Sequence, residues 1–520
     1  MTIRRPLVVL ATCALVLASA PLHDGQGATR PDGASASVPA FLPRPLDFAP
    51  FVTALDALAP ERLAELDALV SAADIATLRD RLAAGEIGAR ELALAYLARI
   101  RRFDGELGAV IELNPDALAE GARLDAHRAA GLPLGALHGI PILLKDNIAT
   151  GDRQRTTVGA LALAGHLAPR DAGVVTRLRR AGALILGKTN LSEWAYFMST
   201  RAPSGYSALG GQTLNPHGAG LEVLGSSTGS AVAAAARFAA GTLGTETTGS
   251  IVAPAAANGV AGMRPTPGLV DGDLIAPITT ALDGAGPIAP GVRDLAELLD
   301  VLIGRGFAGA LDTGSLAGLR IGIPGIGVRT DEAAKAVLGR VVRVLERAGA
   351  SVAPVTIAPD SVVALVRGQM MLLAGGMGDD VDAWLAATGA PLASLAEIVA
   401  FNAREPTTRA PYGQDLLVRA RDGALEPDVH AALASRLRTT ALTAMAADVD
   451  VLLSLDNTFS LFYALGGTPA VTVPAGLDAD GQPHGATFVG VRPGTDAELL
   501  GVAHAFERAA ALRVEPTLRD

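Results

Sequence analysis

Short apolar runs alternate with helical stretches along most of this chain, and this alternation limits the class of fold it can adopt. The runs predict buried strands at 140–145, 183–186, 319–323, 352–355, 449–453 and 470–473. Apolar residues also recur with a helical period, at 172–180, 331–348 and 498–510. Strands separated by helices are typical of a sheet that is covered on both faces. We therefore expect an α/β fold, a single α/β/α domain around a mixed central sheet.

The segment before the first of these strands is mainly helical. Residues 71–74 (Ser-Ala-Ala-Asp) resemble a capping box that opens a helix at 75–84. Further helices are predicted at 89–102 and 115–130, with a strand at 107–113 between them. The Gly-, Ser- and Thr-rich region 205–272 is predicted to be the longest irregular part, and long loops tend to carry function.

The amino terminus predicts export. A basic segment at 1–5 precedes an apolar run at 6–17 and the small-x-small sequence Ala18-Ser19-Ala20. This order indicates a signal peptide of residues 1–20 that is cleaved near Ala20, leaving a periplasmic or secreted protein. The apolar run is too short for a spanning helix, and a buried amino-terminal helix is the alternative interpretation. Cleavage would also remove Cys13, the only cysteine, and leave no thiol for a disulfide.

After the signal peptide we predict a leader and helical extension at 21–70, a main domain at 71–511 and a tail at 512–520.

Composition and charge exclude one class of partner. The 43 basic and 53 acidic residues give a net charge of −10, and only 4% of residues are aromatic. Neither the charge nor the supply of stacking rings suits nucleic acid. We find no other stretch long and apolar enough for stable membrane insertion.

Lysine is rare in this chain. Only three lysines occur among the 43 basic residues, namely Lys145, Lys188 and Lys335. A desolvated lysine can lose its proton and act as a base, which arginine cannot do. Lys145 ends an apolar run, where desolvation is expected. Lys335 lies on a predicted helix and is interpreted as a solvated surface charge.

Two polar segments are rich in small residues. Gly225-Ser226-Ser227-Thr228-Gly229-Ser230 precedes the small-residue stretch 231–240. Such a turn points backbone N–H groups and hydroxyls into one place, although an ordinary helix cap has the same pattern. Residues 244–251 (Gly-Thr-Glu-Thr-Thr-Gly-Ser-Ile) form a second loop of this kind, which is a weak signal alone.

Taken together, these features resemble the amidase signature family over about residues 71–511. The family pairs a strand-end lysine in a Gly-Ile-Pro-…-Lys-Asp segment with two serines 24 residues apart, as Lys145, Ser226 and Ser250 stand here. The agreement extends to 186–193, 258–266 and 467–470. Residues 210–216 and 244–247 look most like the bacterial peptide amidase branch.

The resemblance implies a Ser-Ser-Lys triad that hydrolyses a carboxamide. Ser250 would attack the carbonyl, neutral Lys145 would act as base, and Ser226 would relay the proton between them. A cis peptide bond is implied before Ser226. The implied oxyanion hole consists of the backbone N–H groups of Thr247, Thr248, Gly249 and Ser250. No cofactor and no metal are expected, and none of the eight histidines lies in a recognisable metal pattern.

Three positions depart from the family pattern. Thr248 stands where many members have Gly, and a β-branched residue tolerates positive φ badly. The loop must therefore keep negative φ there or point its donors differently. Val252 replaces a common Arg, and Arg264 replaces a common Lys. We expect these two residues to alter substrate or packing contacts rather than the triad.

Two other functions compete with this interpretation. Residues 225–229 also fit G-x-S-x-G, the nucleophile motif of α/β-hydrolases, with Ser227 as nucleophile and Asp450 and His484 as partners. A secreted binding protein with a non-functional amidase fold is the second.

The substrate is the least constrained part of the prediction. The resemblance and the export signal favour carboxy-terminal peptide amides, with release of ammonia. A general aliphatic or aryl amidase is the alternative. The acyl part would be bound by residues 201–222 and 370–420, in which no motif is evident.

Overall fold

The fold is built on one large mixed sheet. The computed structural model describes residues 45–325 and 331–518. Its strands are β1 Val110–Leu113, β2 Pro141–Lys145, β3 Leu184–Thr189, β4 Tyr206–Ser207, β5 Gly211–Gln212, β6 Gly241–Glu246, β7 Ala261–Arg264, β8 Gly284–Ala289, β9 Arg320–Pro324, β10 Ser351–Val355, β11 Val451–Leu455, β12 Ala470–Leu477 and β13 Pro483–Gly490. Eleven of them form a sheet in the order β1-β3-β2-β6-β8-β7-β12-β13-β11-β9-β10, and β4 and β5 pair separately.

Helices cover both faces of this sheet. They are α1 Val52–Asp56, α2 Pro60–Ala72, α3 Ile75–Ala84, α4 Ala89–Leu107, α5 Ala117–Ala129, α6 Gly173–Arg180, α7 Thr228–Ala235, α8 Val252–Ala257, α9 Val292–Ile303, α10 Glu332–Arg347, α11 Pro359–Thr388, α12 Leu395–Arg404, α13 Pro406–Arg409, α14 Asp415–Asp422, α15 Pro427–Met445, α16 Ser460–Gly466 and α17 Asp496–Ala510. Short 3₁₀ helices lie at Leu161–Leu163, Glu193–Tyr196 and Ala308–Thr313. The predicted α/β fold with a mixed sheet is confirmed.

Side-chain alternation along the strands divides the core in two. On β11, Val451, Leu453 and Leu455 pack into an apolar cluster with α4, α9, α10 and α17. The intervening Leu452 packs into a second cluster, with α11, α14, α15 and α16. Successive side chains of a strand point to opposite faces, so one strand serves both clusters. The sheet is therefore buried on both sides.

The six predicted strands all occur, but other predictions need correction. The strand at 107–113 begins only at Val110, because α4 continues to Leu107 and ends with Gly108 at φ 61°. The buried side chain of Asp104 accepts the N–H groups of Ala109 and Val110 at 2.7 and 3.1 Å, and so pairs two backbone donors where the chain leaves the helix.

The region 205–272, predicted to be irregular, contains β6, β7, α7 and α8. Its Gly, Ala and Thr residues carry little apolar surface, so their burial leaves no strong periodicity in the sequence. The predicted capping box is in fact a single cap, since the Asp74 carboxylate accepts the Thr77 N–H at 2.8 Å and α3 starts at Ile75.

The amino-terminal part of the described chain packs on the core. Helix α2 buries Leu66 and Val70, and Arg62 binds both carboxylate oxygens of Glu91 on α4, at 2.6 and 2.9 Å. The signal peptide and the first part of the leader lie outside the described residues. The domain boundaries stay a prediction.

Within the described residues, helix α11 is long and apolar enough to cross a membrane by length and composition, which was not expected from the sequence. Half of its most apolar window is buried inside the protein, where α15 and α16 pack against it. Such burial is typical of a core helix.

Candidate active site

Parallel pairing of β2 and β6 brings the three predicted site residues to one edge of the sheet. Leu144 of β2 lies beside Leu243 of β6. Lys145 is the last residue of β2, and the turn that carries Ser250 follows directly after β6. Ser226 lies in the loop before α7, which packs over both strands. The carboxyl ends of parallel strands meet at one edge, where α/β proteins commonly hold their ligands.

Lys145 is completely buried and hydrogen-bonded to one of the two serines. Its Nζ donates to Ser226 Oγ at 2.7 Å, to Thr245 Oγ1 at 2.8 Å and to the Thr245 carbonyl at 3.3 Å. Asn147 Nδ2 also donates to Thr245 Oγ1, at 3.0 Å. The amine therefore has a fixed position with Ser226 as its hydroxyl partner.

Burial also makes Lys145 a base at neutral pH. Loss of solvation lowers the pKa of its amine from 10.5 to about 7, although the carboxylates of Asp283 and Glu246 act in the opposite direction. At neutral pH a substantial fraction of the lysine is therefore uncharged and able to accept a proton. The pKa of buried Asp283 is raised to about 7 by the same loss of solvation.

Ser226 is fixed by its neighbours on both sides. The Gly225–Ser226 peptide bond is cis, as the resemblance implies. The Ser226 carbonyl accepts the Ser192 N–H at 3.1 Å. A Cβ on Gly225 would lie 2.3 Å from Ser192 Oγ, so only glycine fits there. The loop thus holds the Ser226 hydroxyl against Lys145.

Ser250 lies next to Ser226 on the accessible side. Its carbonyl accepts the N–H of Ser227, the residue after Ser226, at 3.0 Å. Ser250 keeps 8% of its surface exposed, whereas Lys145 and Ser226 keep none. Among the described residues, no hydrogen bond joins the two serine hydroxyls. Of these three residues, Ser250 is therefore the one that keeps some surface toward solvent.

The 247–250 turn, which joins β6 to α8, resolves the question raised by Thr248. Thr248 keeps negative φ, and the neighbouring Gly249 takes the left-handed conformation at φ 84°. Thr247 Oγ1 donates a short hydrogen bond to Asp283, whose other oxygen accepts the N–H groups of Ile278 and Thr279. The turn is thus compatible with threonine at position 248.

Glu246, the last residue of β6, holds the other end of the turn. Its Oε2 accepts the N–H groups of Ile251 and Val252 at 2.7 and 2.9 Å, where α8 begins. Its Oε1 lies 3.7 Å from Nε of Arg264, and both side chains are completely buried. Two of the departures from the family pattern, Val252 and Arg264, therefore contact Glu246 rather than the triad.

Sequence reasoning missed four residues around this turn. Glu246 lies inside the small-residue segment 244–251, and its position after a strand could have marked it. Asp283, Gln369 and Asn457 lie in no motif, and come to the site only through the fold. Gln369 Nε2 donates to Thr248 Oγ1 at 2.8 Å, and Asn457 Nδ2 lies 3.0 Å from where a Cβ on Gly249 would be.

The structure rules out the α/β-hydrolase arrangement. The Ser227 hydroxyl is fully buried and bound to the Thr245 backbone, donating to its carbonyl at 3.0 Å and accepting its N–H at 3.1 Å. His484 lies between Asp456 and Asp478, with ring-nitrogen distances of 2.8 and 3.1 Å. Asp450 binds Arg320 at 2.8 Å. His484 and Asp450 thus have other partners and are not the base and acid of Ser227.

The other lysines have structural or surface roles. Lys188 is buried and donates to the carbonyls of Ile148 and Arg155 and to Thr156 Oγ1, at 2.7 to 3.1 Å. Lys335 is half exposed and pairs with Glu332, as predicted for a surface charge. Within 45–325 and 331–518, no group of three or more His, Cys, Asp or Glu side chains could hold a metal ion.

One cavity lies away from these groups. It has a volume of about 990 Å³ and is lined by arginines and acids of α6 and α9 and of the 270–273 loop. None of the site residues lines it. We place the chemistry at the β2–β6 edge, because a buried neutral amine beside a hydroxyl can accept a proton and paired surface charges cannot.

Fold and site together define an α/β enzyme that hydrolyses amides. The family model for amidases matches residues 91–500, and this chain belongs to the amidase family. The members of this family are amide-hydrolysing enzymes, which favours an enzyme over the binding protein with a non-functional amidase fold.

Three relatives show the range of this family. A probable amidase of Arabidopsis thaliana is 35% identical over 85% of this chain and 91% of that protein. A glutamyl-tRNA(Gln) amidotransferase subunit of Symbiobacterium thermophilum is 34% identical over 82% of this chain and 94% of that protein. The X-ray structure of native peptide amidase from Stenotrophomonas maltophilia is 38% identical, with a TM-score of 0.81, and the match covers 86% of this chain and 99% of that chain.

Proposed function

We propose that this amidase uses Lys145, Ser226 and Ser250 as a triad, with the backbone N–H groups of the 247–250 turn as oxyanion hole. The observation that carries the proposal is the hydrogen bond from buried Lys145 to Ser226, beside a more accessible Ser250. Lys145 supplies the base, and Ser226 is placed to pass a proton between it and Ser250.

The reaction follows from these positions. Ser250 Oγ attacks the amide carbon and gives its proton to Ser226, which passes its own proton to Lys145 Nζ. The negative oxygen of the tetrahedral intermediate is stabilised by the N–H groups of the turn. The protonated lysine then returns a proton through Ser226 to the leaving amine, the C–N bond breaks, and an ester on Ser250 remains. Water then attacks the ester and gives its proton through Ser226 to Lys145. The proton returns to Ser250 Oγ as its bond to the acyl carbon breaks, and the carboxylic acid is released.

We propose carboxy-terminal peptide amides as substrates, with ammonia as the product. The similarity to the Stenotrophomonas maltophilia peptide amidase over almost its whole length supports this choice. So does the predicted signal peptide, since export would place the enzyme where peptides occur. We also propose cleavage near Ala20, which sequencing the amino terminus of the mature protein would test.

Labelling with a serine-directed fluorophosphonate tests the nucleophile. Peptide mapping should find the label on Ser250, and Ser250→Ala should abolish both label and turnover. Label on another serine would contradict the triad.

A substrate panel tests the substrate class separately. A dipeptide amide, a free-acid dipeptide, an aryl amide and a long-chain fatty amide should be compared by kcat/KM. We expect the dipeptide amide to be preferred and the free-acid dipeptide to be spared. Preference for the aryl or fatty amide would replace the peptide assignment by a general amidase, and leave the triad intact.

A further inference from the structure

Side chains hold the 247–250 turn in three places, once by its neighbour Glu246 and twice by distant parts of the molecule. The Glu246 carboxylate accepts the N–H groups of Ile251 and Val252, and the Asp283 carboxylate accepts a hydrogen bond from Thr247 Oγ1. The third tie is the hydrogen bond from Gln369 Nε2 to Thr248 Oγ1, at 2.8 Å. It crosses 121 positions of sequence and is the link from helix α11 to the turn.

Gln369 is itself fixed by the packing of α11. Only 4% of its surface is exposed. Leu365 and Leu372, one turn before and one turn after it on the same helix face, are completely buried in the second apolar cluster. The packed leucines fix the backbone of α11 at Gln369, and burial of the side chain limits the positions that its amide can reach.

The bond acts on the part of the turn where geometry matters most. Thr248 lies between Thr247 and Gly249, and the three residues supply three of the proposed oxyanion donors. Such donors are effective because they are already oriented before charge develops on the substrate. A hydrogen bond to the Thr248 hydroxyl fixes its side chain, because a β-branched residue has few rotamers, and it restrains the backbone that carries this side chain.

We propose that Gln369 is a positioning residue for catalysis, which orients the oxyanion donors of the 247–250 turn through the Thr248 hydroxyl. This inference rests on the proposed function. It predicts that the bond contributes to stabilising the transition state and little to binding the substrate. Its loss should therefore lower kcat and leave KM nearly unchanged.

A double-mutant cycle tests the proposal. Thr248→Val removes the hydroxyl and keeps the shape, and Gln369→Met removes the amide at similar length. We expect each single change to lower kcat about tenfold, less than the loss of a whole oxyanion donor, with KM changed by less than about twofold. The double variant should lose little more than either single one, because both break the same bond.

Two further variants separate positioning from general stability. Thr248→Ser restores a hydroxyl and should recover several-fold of the kcat lost in Thr248→Val. Thr388→Val is the matched control, because Thr388 is a buried threonine on the same helix whose hydroxyl donates to Trp384 of that helix at 2.9 Å. It should leave kcat and KM unchanged.

Binding of a peptide trifluoromethyl ketone gives a readout independent of turnover. Its adduct with the nucleophile places a negative oxygen in the hole, so its affinity should fall in Thr248→Val and Gln369→Met by the same factor as kcat. A non-reactive peptide carboxylate should bind all variants alike.

Additive losses in the double variant, a change confined to KM, or equal kcat for Thr248→Ser and Thr248→Val would overturn the role of Gln369. Full activity of Ser250→Ala would instead overturn the proposed function. The two failures are therefore distinguishable.

Discussion

At the scale of the single residue, the proposed mechanism depends on keeping one amine out of water. Lys145 is fully buried and its pKa is lowered to about 7, so it can exchange a proton at the pH at which enzymes operate. An arginine in its place would stay charged.

Lys145→Arg should therefore be as damaging as Lys145→Ala. We expect kcat to fall about 100-fold or more in both, since a positioned general base contributes at least that factor. Steady-state kinetics on a dipeptide amide measures it. Lys335→Arg, on the surface, is the control and should be fully active. An active Lys145→Arg enzyme would remove the proton relay from the mechanism.

The pH dependence should report Lys145 and respond to Asp283. Because the neutral amine is the active form, kcat/KM should rise with pH through about 7 and then level off. The Asp283 carboxylate favours the charged lysine, so Asp283→Asn should lower the pKa of Lys145 and move the rise to lower pH. A pH profile of kcat/KM for both proteins measures this. If the rise in kcat/KM moved to higher pH in Asp283→Asn, the Asp283 carboxylate would not be stabilising the charged form of Lys145.

Residues that chemistry restricts by type can be identified from the sequence. The rarity of lysine and a strand-end position single out Lys145, whereas Ser226 and Ser250 are predicted through the resemblance to the amidase signature family. Asp283 and Gln369 act through geometry alone, since many positions carry a carboxylate or an amide and neither residue lies in a motif. Only the fold shows that they contact the 247–250 turn.

At the scale of the element, the β6–turn–α8 unit depends on one buried ion pair. Glu246 accepts two N–H groups at the start of α8 and lies beside Arg264, which donates to the Leu282 carbonyl at 2.8 Å. Breaking a buried pair by removing one partner leaves the other charge uncompensated.

Glu246→Gln should consequently lower the free energy of unfolding by about 3–5 kcal/mol. Denaturant unfolding, followed by circular dichroism, measures the change. Adding Arg264→Met should recover part of the loss, because no unpaired charge then stays buried. If the double variant is less stable than the single one, the pair is not the source of the effect.

Elements are predictable where their side chains are large. The strands at 141–145, 320–324 and 451–455 carry Ile, Leu and Val, and their apolar runs predict them. β6 and β7 are built largely of Gly, Ala and Thr, and their place in the sheet depends on neighbours rather than on their own apolar surface.

At the scale of the whole molecule, the two apolar clusters share a single sheet. Neighbouring residues of β11 pack into opposite clusters, as Leu452 and Leu453 do. If either cluster lost its packing, the strand face that it covers would be exposed, and the same strands would no longer support the other cluster. We therefore expect one cooperative unfolding transition.

Leu372→Ala, in the second cluster, tests this coupling. Truncating a completely buried leucine should lower the free energy of unfolding by about 2–5 kcal/mol. Calorimetry should show the whole transition moving to lower temperature. A new early transition, with the remainder unmoved, would mean that the clusters unfold independently.

The place of β13 in the sheet bears on how the chain is made. It is the last strand in sequence, yet it lies in the interior, between β12 and β11. Until Pro483–Gly490 has left the ribosome, a nascent chain holds two partial sheets with unpaired edges, and such edges are the places where chains pair wrongly. The gap between β12 and β11 therefore closes only near the end of synthesis, although the residues of the proposed triad emerge in its first half. Chaperones that shield strand edges would therefore be needed until β13 is made, although this strand carries no residue of the proposed triad.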